Sequence, residues 1–205
     1  MDTLHITTRH TGKMTGMQSL STCCRINHNC MKFSQVEGSV CQKCYAMKMT
    51  KMYQHLAPCL EKNTEILTKE VLIKEQIPTI NASFFRLEAF GDLINTIQVV
   101  NYFKICKANP YTHFALWTKV PHLIQETIDQ GEEKPDNLKI IVSSLFMNKV
   151  YDSTMYDFID KIFTVYDKDY IKENDVQINC GGKKCLECKL CYTDNDVFNI
   201  NEKVK

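Results

Sequence analysis

The chain has 205 residues, and its 25 lysines and arginines balance 24 aspartates and glutamates to a net charge of +1. That length suits one domain with a full core, residues 1–205. The even balance argues against a dedicated nucleic-acid sleeve, which needs a basic excess to displace counterions; short basic runs such as Lys48–Lys51 and Lys183-Lys184 leave a nucleic-acid partner open but unsupported. No apolar run is long enough for a bilayer, and the opening MDTLHITTRH has no apolar signal core, so the expected location is the cytoplasm, without a membrane partner.

In chain order, Met17–Thr22 reads as a strand leading into a cluster of cysteines. Glu61–Glu75 reads as a helix with Ile66, Leu67, Val71 and Leu72 on one side. Ser83–Phe90 is a strand ending at Gly91-Asp92, and Leu93–Lys107 is a helix broken by Asn109-Pro110. Thr112–Trp117 is the next strand; Pro121 opens a helix over His122–Asp129, and Gly131 stops it. Leu138–Val142 is a strand ended by Ser143-Ser144, followed by a short helix around Met155–Asp160 and a strand at Ile162–Tyr166. Val176–Ile178 offers a last short strand. Strands separated by helices imply parallel crossovers, and their continuous apolar runs suit strands covered on both faces. About six units are too few for a closed eight-unit barrel. The expected fold is therefore α/β, a partial (β/α)6 barrel over residues 17–178 with a cysteine-rich segment over 179–195.

Eleven cysteines are present, and eight fall in two tight groups. Cys24, Cys30, Cys41 and Cys44, with Cys23 alongside, lie in CCRINHNCMKFSQVEGSVCQKCYA; Cys180, Cys185, Cys188 and Cys191 lie in CGGKKCLECKLCY. The spacings Cys41/Cys44, Cys185/Cys188 and Cys188/Cys191 let two thiolates from one turn address one metal, as zinc and iron–sulfur sites require. The competing reading is disulfides, which belong mainly to short, secreted, loop-rich chains. Spacing alone does not tell zinc from iron–sulfur. His28, between Cys24 and Cys30, is a further candidate ligand. Cys59 stands alone, and Cys106 reads as a small buried hydrophobe.

In parallel α/β folds the chemistry gathers at the carboxyl ends of the strands. Those ends carry Arg86, Glu88 and Asp92; Trp117-Thr118-Lys119; Ser143, Ser144 and Asn148; and Tyr166 with Asp167-Lys168. Each also has a plain structural reading: Asp92 as a helix cap, the serines as a turn, Lys119 as a solvated side chain. The first cysteine group is expected after the first strand and the second after the last, both facing this polar rim.

Cys41-x-x-Cys44-Tyr45-Ala46, the Gly91-Asp92 strand end, Trp117-Thr118-Lys119 and the tail Cys185-x-x-Cys188-x-x-Cys191-Tyr192 together resemble the phage gene product 88 family. They also resemble related proteins among the radical S-adenosylmethionine (SAM) enzymes. The resemblance spans roughly Met17 to Tyr192. It implies a partial barrel of the radical SAM type, with a [4Fe–4S] cluster in the loop after the first strand and SAM bound at its open iron. Reductive cleavage of SAM to a 5′-deoxyadenosyl radical would act on an unknown substrate, with a reductant such as flavodoxin or ferredoxin as partner. By the same resemblance Cys41 and Cys44 are cluster ligands, with Cys24 or Cys30 as the third. Glu88 and Asp92 approach the SAM ammonium; Ser143, Ser144 and Asn148 contact the ribose or carboxylate; and Lys119 pairs with the carboxylate. Cys180, Cys185, Cys188 and Cys191 hold a second [4Fe–4S] cluster or a zinc ion. The chain departs from the usual three-cysteine pattern, because Lys43 precedes Cys44 and the aromatic Tyr45 follows it. Four ligands on the first cluster would close it to SAM. The alternative is then a non-catalytic iron–sulfur or zinc-stabilised phage protein that binds a host protein or nucleic acid, in the host cytoplasm.

Overall fold

A computed structural model describes residues 3–204; residues 1, 2 and 205, which the single-domain expectation includes, lie outside it. Six strands form one sheet: β1 (Gln18–Leu20), β2 (Phe84–Leu87), β3 (His113–Thr118), β4 (Leu138–Ser143), β5 (Lys161–Tyr166) and β6 (Asn199–Lys203). Every neighbouring pair is parallel, and spatial order equals chain order. Each crossover thus steps one strand in the same direction. With crossovers of one hand this puts the connecting helices on one face, as in a barrel wall, rather than on both as in a doubly wound sheet.

The sheet is open, yet its edges approach each other. Lys13, in a 3-10 turn over Gly12–Met14 just before β1, pairs with Glu202 of β6 at 2.7 Å. It also lies over the Phe163 ring of β5 at 5.8 Å. The expected α/β fold is thus present as one unclosed sheet of six parallel strands.

The helices are α1 (His28–Ser34), α2 (Tyr45–Met52), α3 (Leu56–Lys69), α4 (Thr96–Ala108), α5 (His122–Asp129), α6 (Lys168–Glu173) and α7 (Cys185–Cys188). Helices α3, α4 and α5 pack side by side. They bury Leu67, Val99, Tyr102, Phe103, Ile105, Leu123 and Ile124 against Leu20, Phe85, Leu87, Phe114, Leu116, Leu138 and Ile140 of the strands. Cys106 lies fully buried in this layer, as the sequence implies. Alternate strand residues point the other way: Ala115, Trp117 and Ile141, with Phe84 and Phe163, make a second cluster completed by Cys185, Leu186, Cys191 and Tyr192. No helix among the described residues is long and apolar enough to cross a membrane.

Four expectations need correction. Residues 176–178 are not a strand. The sixth strand is Asn199–Lys203, a polar edge strand in which Ile200 alone is buried, so hydropathy could not mark it. The Cys180–Cys191 segment therefore precedes the last strand instead of following it, and the sheet extends beyond residue 178. The helix expected around Met155–Asp160 is only a 3-10 turn over Ser153–Met155. Beyond it Tyr156, Phe158 and Ile159 pack beneath Val142 and Ile162 and hold the chain in an irregular crossover. Lastly, α3 runs over Leu56–Lys69 instead of continuing to Glu75. Asn101 of α4 stops it: its Nδ2 donates to the carbonyls of Leu67 and Glu70, and its Oδ1 accepts from the Leu72 N–H.

Candidate metal centres and the strand-end site

The first cysteine group occupies the connection from β1 to α2. Asn27 caps α1, its side chain accepting from the N–H groups of Asn29 and Cys30 and donating to the Asp92 carbonyl at 2.7 Å. Cys24 follows β1 directly and is buried; Cys30 lies in α1; Cys41 lies in a 3-10 turn over Val40–Lys43; and Cys44 starts α2. Ser39 and Val40 bridge to Phe146 and Leu145 after β4, so this loop arches across the strand ends from β1 to β4.

Cys44 is the common neighbour of this group: its charge bears on Cys24, Cys30 and Cys41 alike. Burial pushes the Cys24 thiol up to about 12, with Cys44 adding to the rise. Burial also drives Cys30 well above the ordinary thiol range, assisted by Asp92 and Cys24. Cys41 is raised by burial and opposed by Lys119. Without a cation these are neutral thiols. A bound metal would supply the positive charge that lets them ionise. His28 is exposed at the start of α1.

The family-like motifs knit together around Asp92. Its Oδ1 accepts from Thr118 Oγ1 at 2.6 Å and from the Leu93 N–H at 2.8 Å, and its Oδ2 accepts from the Lys119 N–H at 3.0 Å. Burial raises its pKa, and the charge of Lys119 opposes that rise. Gly91 is required by close approach: a Cβ there would stand 2.4 Å from Thr22 Oγ1 and 2.6 Å from the Thr22 carbonyl oxygen. Asp92 thus lies within electrostatic reach of Cys30 and Cys41, and Lys119 of Cys41.

Glu88 takes a different position. Its carboxyl group faces the helix layer, accepting from Gln98 Nε2 at 2.7 Å, from Tyr102 OH, and from the N–H and hydroxyl of Thr22. It is buried in the left-handed region at φ 57°, and burial lifts its pKa to about 8. This carboxyl ties the end of β1 to α4. Ser144 shares a hydrogen bond with Thr164 at 3.1 Å, and Ser143 is buried at the end of β4. Asn148 clamps Asp167, donating to its carboxylate and accepting from its N–H at 3.0 Å. The last three stand at the β4–β5 end of the rim, with protein partners for Ser144 and Asn148.

The second group lies inside the curl of the sheet. Cys180 bridges to Glu202 at the end of β6; Cys185 and Cys188 bound α7; Lys189 turns the chain at φ 56°; and Cys191 precedes the buried Tyr192. Tyr192 packs edge-on to Phe84, with ring centroids 5.7 Å apart, and against Trp117. The chain then reaches the amino ends of the strands, where Lys139 meets Asp194 at 2.5 Å and Lys161 meets Asn195 at 2.9 Å. So Cys185 and Cys191 pack on the inner face, while Cys180 pairs with edge strand β6 and Cys188 is exposed; the group as a whole does not gather on the strand-end rim that the sequence suggested. Its four cysteines line one pocket with Lys13. Cys191 is pushed up to about 12 by burial and then by Cys180, while Arg86 opposes the rise. Lys13 Nζ lies 3.3 Å from Cys180 Sγ. Among the described residues, no three His, Cys, Asp or Glu side chains of either group stand close enough to share a single ion.

Sequence reasoning missed the partners of these residues. Thr22, Gln98 and Tyr102 look like ordinary strand-end and helix residues. Lys13 belongs to a segment without periodicity. Arg86 did carry a signal, as a lone cation within the apolar run SFFRLEAF.

No curated protein and no solved structure matches the chain. A family model described as gene product 88 matches residues 5–201, a span that takes in both cysteine groups, Gly91-Asp92 and Trp117-Thr118-Lys119. The chain therefore belongs to the gene product 88 family.

Proposed function

We propose that this chain is an iron–sulfur protein on the radical SAM plan. Cys41 and Cys44, with Cys24 or Cys30 as the third, would supply the ligands of a [4Fe–4S] cluster, and the second group, Cys180, Cys185, Cys188 and Cys191, would hold a further cluster or a zinc ion. The observation that carries the reading is one of placement. A cysteine-rich loop leaves β1 of an open, sequentially ordered parallel sheet and arches over the strand ends, with Asp92 and Lys119 beside it. That is where such sheets concentrate chemistry.

When bound, the cluster supplies the electron for reductive cleavage of SAM to methionine and a 5′-deoxyadenosyl radical. The chain's own residues bind and orient. With three of the four cysteines as ligands, the cluster would keep a position for SAM. Asp92 offers a fixed carboxylate to the SAM ammonium, and Lys119 offers a cation to its carboxylate. Glu88 acts through Thr22 by fixing the end of β1, and the arching loop restricts water. An external reductant, flavodoxin or ferredoxin in kind, delivers the electron in the host cytoplasm. Anaerobic protein incubated with dithionite and SAM is expected to release 5′-deoxyadenosine; a full cluster that releases none contradicts the reading.

One observation favours a second reading. Cys185, Leu186, Cys191 and Tyr192 pack on the inner face where a substrate would lie. A cluster bound by all four cysteines would carry electrons or stabilise the fold, in a protein that binds a host partner. Two zinc ions and no iron after anaerobic purification would select the zinc-stabilised form of that reading.

A further inference from the structure

Arg86 lies on the inner face of β2, with Ser19 of β1 and Ala115 of β3 beside it in register. Both neighbours are small, and the Ser19 hydroxyl is taken by His10, whose Nε2 lies 3.0 Å from it. The Arg86 side chain leans toward the carboxyl ends of the strands. Its guanidinium lies over the ring of Trp117, two residues beyond Ala115, at 3.9 Å from the centroid. Nothing answers its charge. Nε is buried without a hydrogen-bond partner, and Nη1 reaches only the Met14 thioether at 3.6 Å, a weak acceptor. Nη2 has no partner among the described residues and is not buried, and no carboxylate among them pairs with Arg86. Lys13, the other cation that reaches this interior, is matched by Glu202 at 2.7 Å. Stacking on an aromatic ring fixes a guanidinium without neutralising it, so this part-buried cation keeps its capacity for an anion.

We propose that Arg86, braced by Trp117, binds a carboxylate or phosphate group of a small molecule on the inner face. This molecule is other than SAM, whose carboxylate Lys119 serves in the reading above. Because Nε is covered, the anion docks end-on. Nη1 and Nη2 each donate one N–H to one of two anion oxygens, and the weak Met14 contact gives way. Trp117 holds the plane of the fork, so little side-chain freedom is lost on binding. In the enzyme proposed above this molecule is the substrate, and that identification rests on the SAM reading. Anion binding itself needs neither cluster nor SAM.

Trp117 is the one tryptophan of the chain, so its emission reports on this site directly. Titration of the anaerobically purified full chain with inorganic phosphate, and separately with malonate, is expected to change that emission saturably. Sodium chloride at matched ionic strength is expected to leave it unchanged. In Arg86→Gln the dissociation constant is expected to rise roughly ten- to a hundredfold, the usual contribution of hydrogen bonds to a charged group. Arg86→Lys keeps the charge but not the fork, and is expected to fall between the two. The tighter of phosphate and malonate identifies the anionic group. Absence of saturation with both anions in the unsubstituted chain overturns the inference, and so does equal binding in Arg86→Gln. A response that chloride reproduces marks an adventitious ion only and also overturns it. Displacement of the bound anion by SAM does the same, because the site then belongs to SAM. Release of 5′-deoxyadenosine without anion binding defeats this inference alone. Anion binding without that release keeps the site and defeats the enzyme reading.

Discussion

Gly91→Ala is the sharpest test of how the strand ends are held. The added methyl would meet Thr22 Oγ1 at 2.4 Å, the Thr22 carbonyl oxygen at 2.6 Å and Glu88 Oε2 at 2.7 Å. None of the three can step aside cheaply. The carbonyl is backbone, the hydroxyl donates to the Asp92 carbonyl at 3.0 Å, and Glu88 is tied by Gln98 and Tyr102. Overpacking of this kind costs about 1–3 kcal/mol, and a backbone contact puts this case at the upper end. For a chain of this size, about 3 kcal/mol lowers the melting temperature by roughly 6–12 °C. Urea unfolding of the metal-free, reduced protein reads the change as a lower midpoint at unchanged slope. Because Thr22 is two residues before Cys24, metal uptake by the first group is expected to weaken as well. A loss below about 0.5 kcal/mol, the scatter of neutral surface changes, would refute the close-approach argument.

Burial lifts the Glu88 carboxyl from an ordinary 4.5 to about 8, against the donors Tyr102 and Thr22 that favour its charged form. A raised carboxyl stabilises the fold fully below its unfolded value and loses that contribution as pH climbs through about 8. Urea midpoints should therefore fall between those pH values and fall less in Glu88→Gln; an identical slope in both proteins contradicts this. Asp92→Asn keeps an acceptor for Thr118 and Leu93 but sets an amide against the Lys119 N–H. A loss of about 1–3 kcal/mol is expected, along with loss of any SAM-induced change at the first group, by urea unfolding and by SAM titration. Thiol alkylation read by mass spectrometry should mark exposed Cys188 first within the second group and spare fully buried Cys106 in the native chain. Metal loading should then protect Cys188, and labelling that ignores metal would remove Cys188 from the ligand set.

The central strands were legible because His113–Thr118 and Leu138–Ser143 are buried on both faces, so their apolar runs are nearly continuous. β6 was not, because an edge strand with one buried side chain carries no hydropathy signal. The end of α3 was hidden for a different reason: it is decided by Asn101, more than thirty residues away and on another helix. The cysteine groups were readable as groups from their spacing. Their positions were not, since the chain order of Cys180–Cys191 before β6 follows from where that strand lies. Asp92 and Glu88 looked equivalent in the sequence, yet Asp92 holds Thr118 and Lys119 at the end of β3 while Glu88 turns to α4. One left-handed residue and the partners Gln98 and Tyr102 turn Glu88 to the helix side, and no local pattern encodes that.

The proposed function depends most on the first cysteine group holding a four-iron cluster with an iron open to SAM. The direct measurement is electron paramagnetic resonance of the anaerobically purified, dithionite-reduced protein with and without SAM, alongside iron and sulfide analysis. The expected result is a reduced-cluster signal that SAM shifts and that is lost in Cys41→Ser/Cys44→Ser. A signal indifferent to SAM, or a protein that takes up zinc and no iron under the same conditions, would contradict it.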